Sequence, residues 1–194
     1  MPKLGMEPIR RAALVKATID EIGAMGNLDV TVRDIAKRAG MSSALAHHYF
    51  GGKDQIFLAA MRHTLTIFGA EVRAALAGAK GHQARVAAIV QASFASTNFQ
   101  PKVIAAWLNF YVLAQTSADA QRLLRIYQRR LHSNLVHDLR PLLGGRAQGA
   151  ATRIGSLIDG QYLRQGLLRD AGGTADATTL VLALLELELS RGAE

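Results

Sequence analysis

The sequence holds no cysteine, a single tryptophan and four prolines among its 194 residues, and aromatic side chains make up only 6% of it. Without a thiol the chain can form no disulfide, no thiolate metal site and no cysteine nucleophile, so a reducing compartment, the cytoplasm, is expected. Long apolar runs are missing too. The greasiest stretch, Leu180 to Leu189, is interrupted by Glu186 and Glu188 and falls short of the ~20 residues that span a bilayer. The opening MPKLGMEPIRR lacks the apolar core of a secretion signal. Neither a membrane partner nor export is expected.

Catalytic patterns are equally sparse. No serine, histidine and acid stand at a known motif spacing, no glycine-rich phosphate loop occurs, and His132 and His137 do not form the HExxH pattern of zinc proteases. No enzyme and no cofactor are expected. His63, His82, His132 and His137 are scattered, which favours surface positions over a metal site; a metal-sensing protein remains a rival reading, as does a DNA-binding protein with no ligand.

What is present is a globular composition, 49% hydrophobic and 20% charged, enough to bury a core. The net charge of +8 favours a polyanionic partner, because lysines and arginines near phosphates release condensed counterions. The excess does not locate a site: residues 1–53 carry eight basic against five acidic residues, and residues 54–194 carry fifteen against ten.

Helical periodicity runs almost throughout and no stretch alternates as a half-buried strand would, so the expected fold is all-α. A first helix from about Pro8 to Met25 puts Val15, Ile19 and Ile22 on one stripe and stops at Gly26. Thr31 fits an N-cap, with Asp34 completing a capping box for a short helix ending near Ala39. After Gly40-Met41-Ser42 a second short helix, capped by Ser42, runs to the Gly51-Gly52 pair. Two short helices with a three-residue break between them form a helix-turn-helix layout, whose second helix enters the major groove of DNA.

A long helix follows from Lys53 to about Ala79, and Gly78, Gly81, Pro101, Ser117 and Pro141-Gly144-Gly145 divide the remainder into a helical bundle. Arg122, Arg125 and Arg129 read as a solvated face opposite Leu124, Tyr127, Leu131 and Leu135. The last two helices, about Gln148–Arg169 and Ala175–Ser190, carry more apolar positions than one stripe needs. Leucines cover most of the circumference of the final one, and a second copy in a two-fold homodimer would supply the cover, the alternative being a central core helix in a monomer. The expected organisation is thus an N-terminal three-helix head, residues 1–53, on a larger helical-bundle domain, residues 54–194.

The segment TVRDIAKRAGMSSALAHHYF at 31–50, followed by GGKDQI, resembles the DNA-binding motif of the TetR family of bacterial repressors. Ile35, Ala36 and Ala39 match the packing face of the first motif helix. Leu45, Tyr49 and Phe50 match the end of the recognition helix, and Lys53 the lysine that opens the next helix beside the phosphate backbone. Small Ala36 and Ala39 let two helices approach closely. Ser42 satisfies free N–H groups and can reach a phosphate. Ser43, Ala44 and His47 lie on the leading face and are the candidates for base edges, the Ala44 methyl meeting thymine. His48 and Tyr49 reach for sugar or phosphate, Thr31 and Lys53 fix register, and Arg33 and Arg38 add phosphate contacts. Many family members have glycine at the Ala44 position and an aromatic residue at the His47 position, so the operator sequence does not carry over.

The resemblance extends into the body. The opening residues, the LAHHYFGGK segment, AWLNFY at 106–111 and LIDGQYLRQGL at 157–167 look like the choline-responsive branch of this family, the repressors of glycine-betaine synthesis genes. That similarity implies a homodimer on double-stranded operator DNA, released when a small-molecule effector, choline, binds the body. A quaternary ammonium cannot donate a hydrogen bond and is held by aromatic faces and a carboxylate. Trp107, Phe110 and Tyr111 in one segment and Asp159 with Tyr162 in another are the candidates for such a site. Asp159 stands out because an acid amid Leu157, Ile158 and Tyr162 is costly to bury without compensation; pairing with Arg164 is the plainer reading.

Overall fold

In the computed structural model, residues 5–168 and 174–191 are described, and among them there are only helices and turns. The first helices follow their local signals closely. Helix α1 (Met6–Met25) stops where Gly26 turns left-handed at φ 71° and donates to the Ile22 carbonyl. Helix α2 (Val32–Arg38) begins at Thr31, which forms the expected capping box with Asp34. Helix α3 (Ser43–Phe50) is capped by Ser42, whose side chain accepts from the Leu45 amide at 3.2 Å, and ends at Gly51, φ 78°.

Helix α4 (Lys53–Gly78) is followed by α5 (His82–Ser93), α6 (Pro101–Thr116), α7 (Ala118–Leu143), a 3-10 turn at Gly144–Arg146, α8 (Ala147–Leu167) and α9 (Thr174–Ser190). The expected Pro141-Gly144-Gly145 divider does end α7, at Leu143, although Pro141 itself sits inside the helix. It lies within the last turn and is exposed, so its missing N–H forfeits a single hydrogen bond, and the chain bends only at Gly144, φ 54°. The expected end of α8 at Arg169 lies outside the described residues.

The described residues form two compact units, one taking those up to Thr64 with Pro101–Leu123, the other Leu65–Gln100 with those from Leu124 onward. In the first, α1 packs on α2 and α6, and α2 on α3. Leu14, Ile22, Ile35, Ala46, Ile56, Met61, Ile104 and Phe110 form its buried core. A Cβ on Gly23 would stand 2.7 Å from the Lys102 Cα; glycine is what lets α1 and α6 meet. The two units do not divide the chain at residue 53, since α6 joins the first.

In the second unit α9 packs on α8 and α5, around Val86, Ile89, Leu135, Leu139, Ile154, Ile158, Val181 and Leu185. Within the chain α9 is not covered all round. Ala177, Val181, Leu185 and Glu188 point inward, while Leu180 and Leu187 are each 52% exposed, and Leu163 on α8 is 50% exposed. Arg122, Arg125 and Arg129 are exposed, as expected.

Candidate nucleic-acid interface and effector site

Helix α3 presents two faces. Ala46 is buried against the first unit's core, Leu45 and Phe50 are partly covered, and Ala44, His47 and His48 are exposed, with Ser43 half-buried beside them. A 3.6-residue repeat puts residues 44, 47 and 48 together on the outward side. His47 Nδ1 lies 3.2 Å from the Gly51 carbonyl. A carbonyl can only accept, so Nδ1 carries a proton and donates it to Gly51.

The capping groups are already engaged. Thr31 Oγ1 lies 2.5 Å from Asp34 Oδ2, to which it donates, and also accepts from the Asp34 amide at 3.2 Å. The Thr31 hydroxyl, followed by its amide, holds the Asp34 carboxyl below the usual range. Ser42 uses a lone pair on Leu45, which leaves its hydroxyl proton for a phosphate oxygen. Arg33 is exposed. Arg38 is held by Glu21 of α1 rather than projecting, a use its sequence neighbours do not disclose. Lys53 is half-buried, its Nζ 5.4 Å from the Phe57 ring centroid.

Two residues that sequence reasoning passed over brace the recognition helix. Arg11 Nη1 donates to the Tyr49 carbonyl at 2.5 Å and its guanidinium lies 4.5 Å from the Phe50 ring centroid. Arg10 Nη1 lies 3.4 Å from the Tyr49 hydroxyl. The Arg11 cation on a last carbonyl of α3 complements the helix's C-terminal dipole, so the first turns of α1 brace the C-terminal end of α3. The Arg-Arg pair in the opening segment was the available signal.

The expected effector residues fall in different units. Trp107 and Phe110 on α6 are buried, and Tyr111 is half-buried with its ring 6.0 Å from that of Trp107. Asp159 and Tyr162 lie on α8. Asp159 is half-buried, less enclosed than its apolar neighbours implied. Tyr162 is buried, donates its hydroxyl to the Ser93 carbonyl, and joins Phe94 and Phe99 in an aromatic cluster with ring centroids 5.1 to 6.0 Å apart. Burial, then the charges of Glu71 and Asp159, push its phenol well above the ordinary tyrosine range, so it is a neutral donor.

The deeply buried acids are elsewhere. Asp138 accepts from Arg85 at 2.8 Å and lies 3.0 Å from His82 Nδ1. Burial works to raise its carboxyl, but the bonds from His82 and Arg85 outweigh that and hold it low. Glu188 is gripped by Arg153 at 2.5 and 2.8 Å, and that bond holds its carboxyl low against burial. A cavity of about 350 Å³ is lined by His132, Ser133, Val136, His137, Arg140 and Gln148; with an arginine, two histidines and no acid in its wall, it does not suit a cation. Among the described residues no three histidines or acids come close enough for a metal ion, and no helix is long and apolar enough to cross a membrane.

The family model for bacterial regulatory proteins of the tetR family matches residues 14–60, and the model for the C-terminal part of BetI-type transcriptional repressors matches residues 82–190. The chain is 52% identical to the HTH-type transcriptional regulator BetI of Brucella melitensis biotype 2 over 98% of its length and 96% of the relative's. To the BetI regulator of Agrobacterium fabrum it is 47% identical, over 97% of its length and 92% of the relative's. Among solved structures, a transcriptional regulator of Pseudomonas aeruginosa PAO1 superposes with a TM-score of 0.76 at 26% identity, covering 98% of this chain and 96% of that one. A regulator from Saccharomonospora viridis in complex with choline superposes with a TM-score of 0.81 at 20% identity, covering 91% and 95%.

Proposed function

The chain belongs to the TetR family and has a BetI-type C-terminal domain, and from that premise we propose a repressor of choline transport and glycine-betaine synthesis genes that choline relieves. That it is a BetI-type transcriptional repressor, not an enzyme, follows from the family and the full-length relatives. The observation that carries the finer reading is the match of residues 82–190 to the BetI-type domain. The choline complex of the S. viridis regulator, which shares this fold, supports the same effector class.

In this reading residues 1–53 are the DNA head and residues 54–194 dimerise and sense the effector, in the cytoplasm. Ser43, Ala44 and His47 read base edges. Ser42, His48, Tyr49, Arg33, Thr31 and Lys53 meet sugar and phosphate, and Arg11 holds α3 at its working pitch. The exposed leucines on α8 and α9 take a second copy of the chain, which pairs two heads on a two-fold operator. The effector candidates are Trp107, Phe110 and Tyr111 in the first unit and Asp159 and Tyr162 in the second. Choline releases DNA only if it binds the non-reading state more tightly than the reading state.

The test is retention of the protein on DNA from its own upstream region as choline is added. Release at millimolar choline, with no release by an equal concentration of sodium chloride, is expected. Retention at saturating choline would remove choline as the inducer and leave the repressor standing.

A further inference from the structure

Besides Asp159, the second unit shelters three carboxylates, and two of these have a guanidinium partner: Asp138 has Arg85 and Glu188 has Arg153. The third does not. Glu71 on α4 is half-buried, and its two oxygens are held by neutral donors, Oε1 by the Thr97 hydroxyl and Oε2 by the Asn98 amide. Among the described residues no lysine, arginine or histidine forms an ion pair with it. A sheltered carboxylate normally gains a cationic partner, since neutral hydrogen bonds alone leave its full charge in a medium of low dielectric.

The surroundings are built rather than incidental. Asn98 is buried and its amide also donates to the Ala92 carbonyl at 3.3 Å, so the carboxylate is held in one orientation. The next residue in the chain, Phe99, meets the rings of Phe94 and Tyr162 edge-on at 5.2 and 5.1 Å. After burial, the charge of Glu71 also works to raise the Tyr162 phenol.

We infer that Glu71 is the anionic anchor of the effector site and holds a quaternary ammonium beside the Phe94, Phe99 and Tyr162 rings. The chemistry selects this class of cation. A divalent metal needs about six oxygen ligands, which one carboxylate does not provide, and a primary ammonium or guanidinium needs several acceptors in fixed directions. A quaternary ammonium needs none. It asks for a nearby negative charge and aromatic faces, and both are here. The inference rests on the effector reading above, adding three residues absent from it: Glu71, Phe94 and Phe99.

The test is calorimetry on the full chain with three probes: choline, tetramethylammonium, and 3,3-dimethyl-1-butanol, the uncharged carbon analogue of choline. Wild-type protein is expected to bind both cations on the order of tenfold or more tighter than the neutral alcohol. Glu71→Gln is expected to cut cation affinity about tenfold and leave the alcohol unchanged, so that the discrimination collapses. The wild-type ratio needs no variant, which keeps the inference exposed even if Glu71→Gln disturbs Thr97 and Asn98. Equal binding of tetramethylammonium and the alcohol overturns it, as does a folded Glu71→Gln variant with wild-type cation affinity, or absence of binding by both cations at millimolar concentration. Tetramethylammonium bound through Glu71 without choline binding would sustain the anchor and remove choline.

Discussion

The reading head and the sheltered acids of the second unit are stabilised by opposite means. In residues 31–53 the capping and turn groups are exposed and their partners lie three or four residues away, Thr31 with Asp34, Ser42 with Leu45 and His47 with Gly51, while Arg38 and Tyr49 reach back to Glu21, Arg10 and Arg11 of α1. In the second unit the polar groups are buried and their partners are distant in sequence: Asp138 with Arg85, Glu188 with Arg153, Tyr162 with Ser93. A surface that must meet DNA keeps its side chains free by satisfying itself locally. The second unit instead fixes its interior charges through contacts between helices.

The largest expected effect falls on that interior. Glu188→Ala strips Arg153 of its partner in a spot where the glutamate is 2% exposed. Breaking a buried pair costs about 3–5 kcal/mol. The Arg153 side chain is 51% exposed and can rehydrate, so about 2 kcal/mol is expected in denaturant unfolding. A loss under about 0.5 kcal/mol would place this pair with surface salt bridges and blur the contrast between the regions.

A pH titration sharpens the same contrast. Asp138 and Glu188 are both held below the ordinary carboxylate range. The unfolded chain therefore takes up their protons first as the medium is acidified. Their stabilisation is complete at neutral pH and is lost as the pH falls through about 4 toward the folded values. Melting temperature should be level from pH 8 to about 5 and then drop, and Asp138→Asn should flatten the drop.

How far each region could be read from the chain follows from this difference. The caps at Thr31 and Ser42 and the glycine stops at Gly26, Gly40 and Gly51 were legible, because an N-cap or a left-handed residue acts on its own turn. The Pro141-Gly144-Gly145 divider is legible too, its glycines ending α7 while Pro141, so near the helix end, costs one hydrogen bond. Asp159 drew attention through its apolar neighbours, yet Asp138 and Glu188 are the deeply buried acids. Burial of a single helical residue depends on which face the other helices cover. Glu71, Phe94 and Phe99 gave no signal at all, because Thr97 and Asn98 lie on the far side of a helix and a loop from the carboxylate they hold.

Smaller effects are expected in the head. Ser42→Ala removes the α3 cap at a cost of about 1 kcal/mol and also a phosphate donor, so operator affinity should fall more than stability does. An equal loss of both would make Ser42 a cap alone. His47→Ala should leave the melting temperature within a degree or two, as an exposed side chain does. It should change the preferred base at one position of each half-site by about 1 kcal/mol. An unchanged preference after selection from random duplexes would take His47 out of the reading face.

In the proposed function two copies of the α3 face read one duplex through phosphate contacts and base edges together. Sedimentation of the full chain on a duplex from its own upstream region, over a series of salt concentrations, tests this most directly. Two protomers per operator, binding that weakens steeply as salt rises, and at least about a thousandfold preference over a scrambled duplex are expected. A single protomer binding with full affinity, or equal affinity for the scrambled duplex, would contradict it.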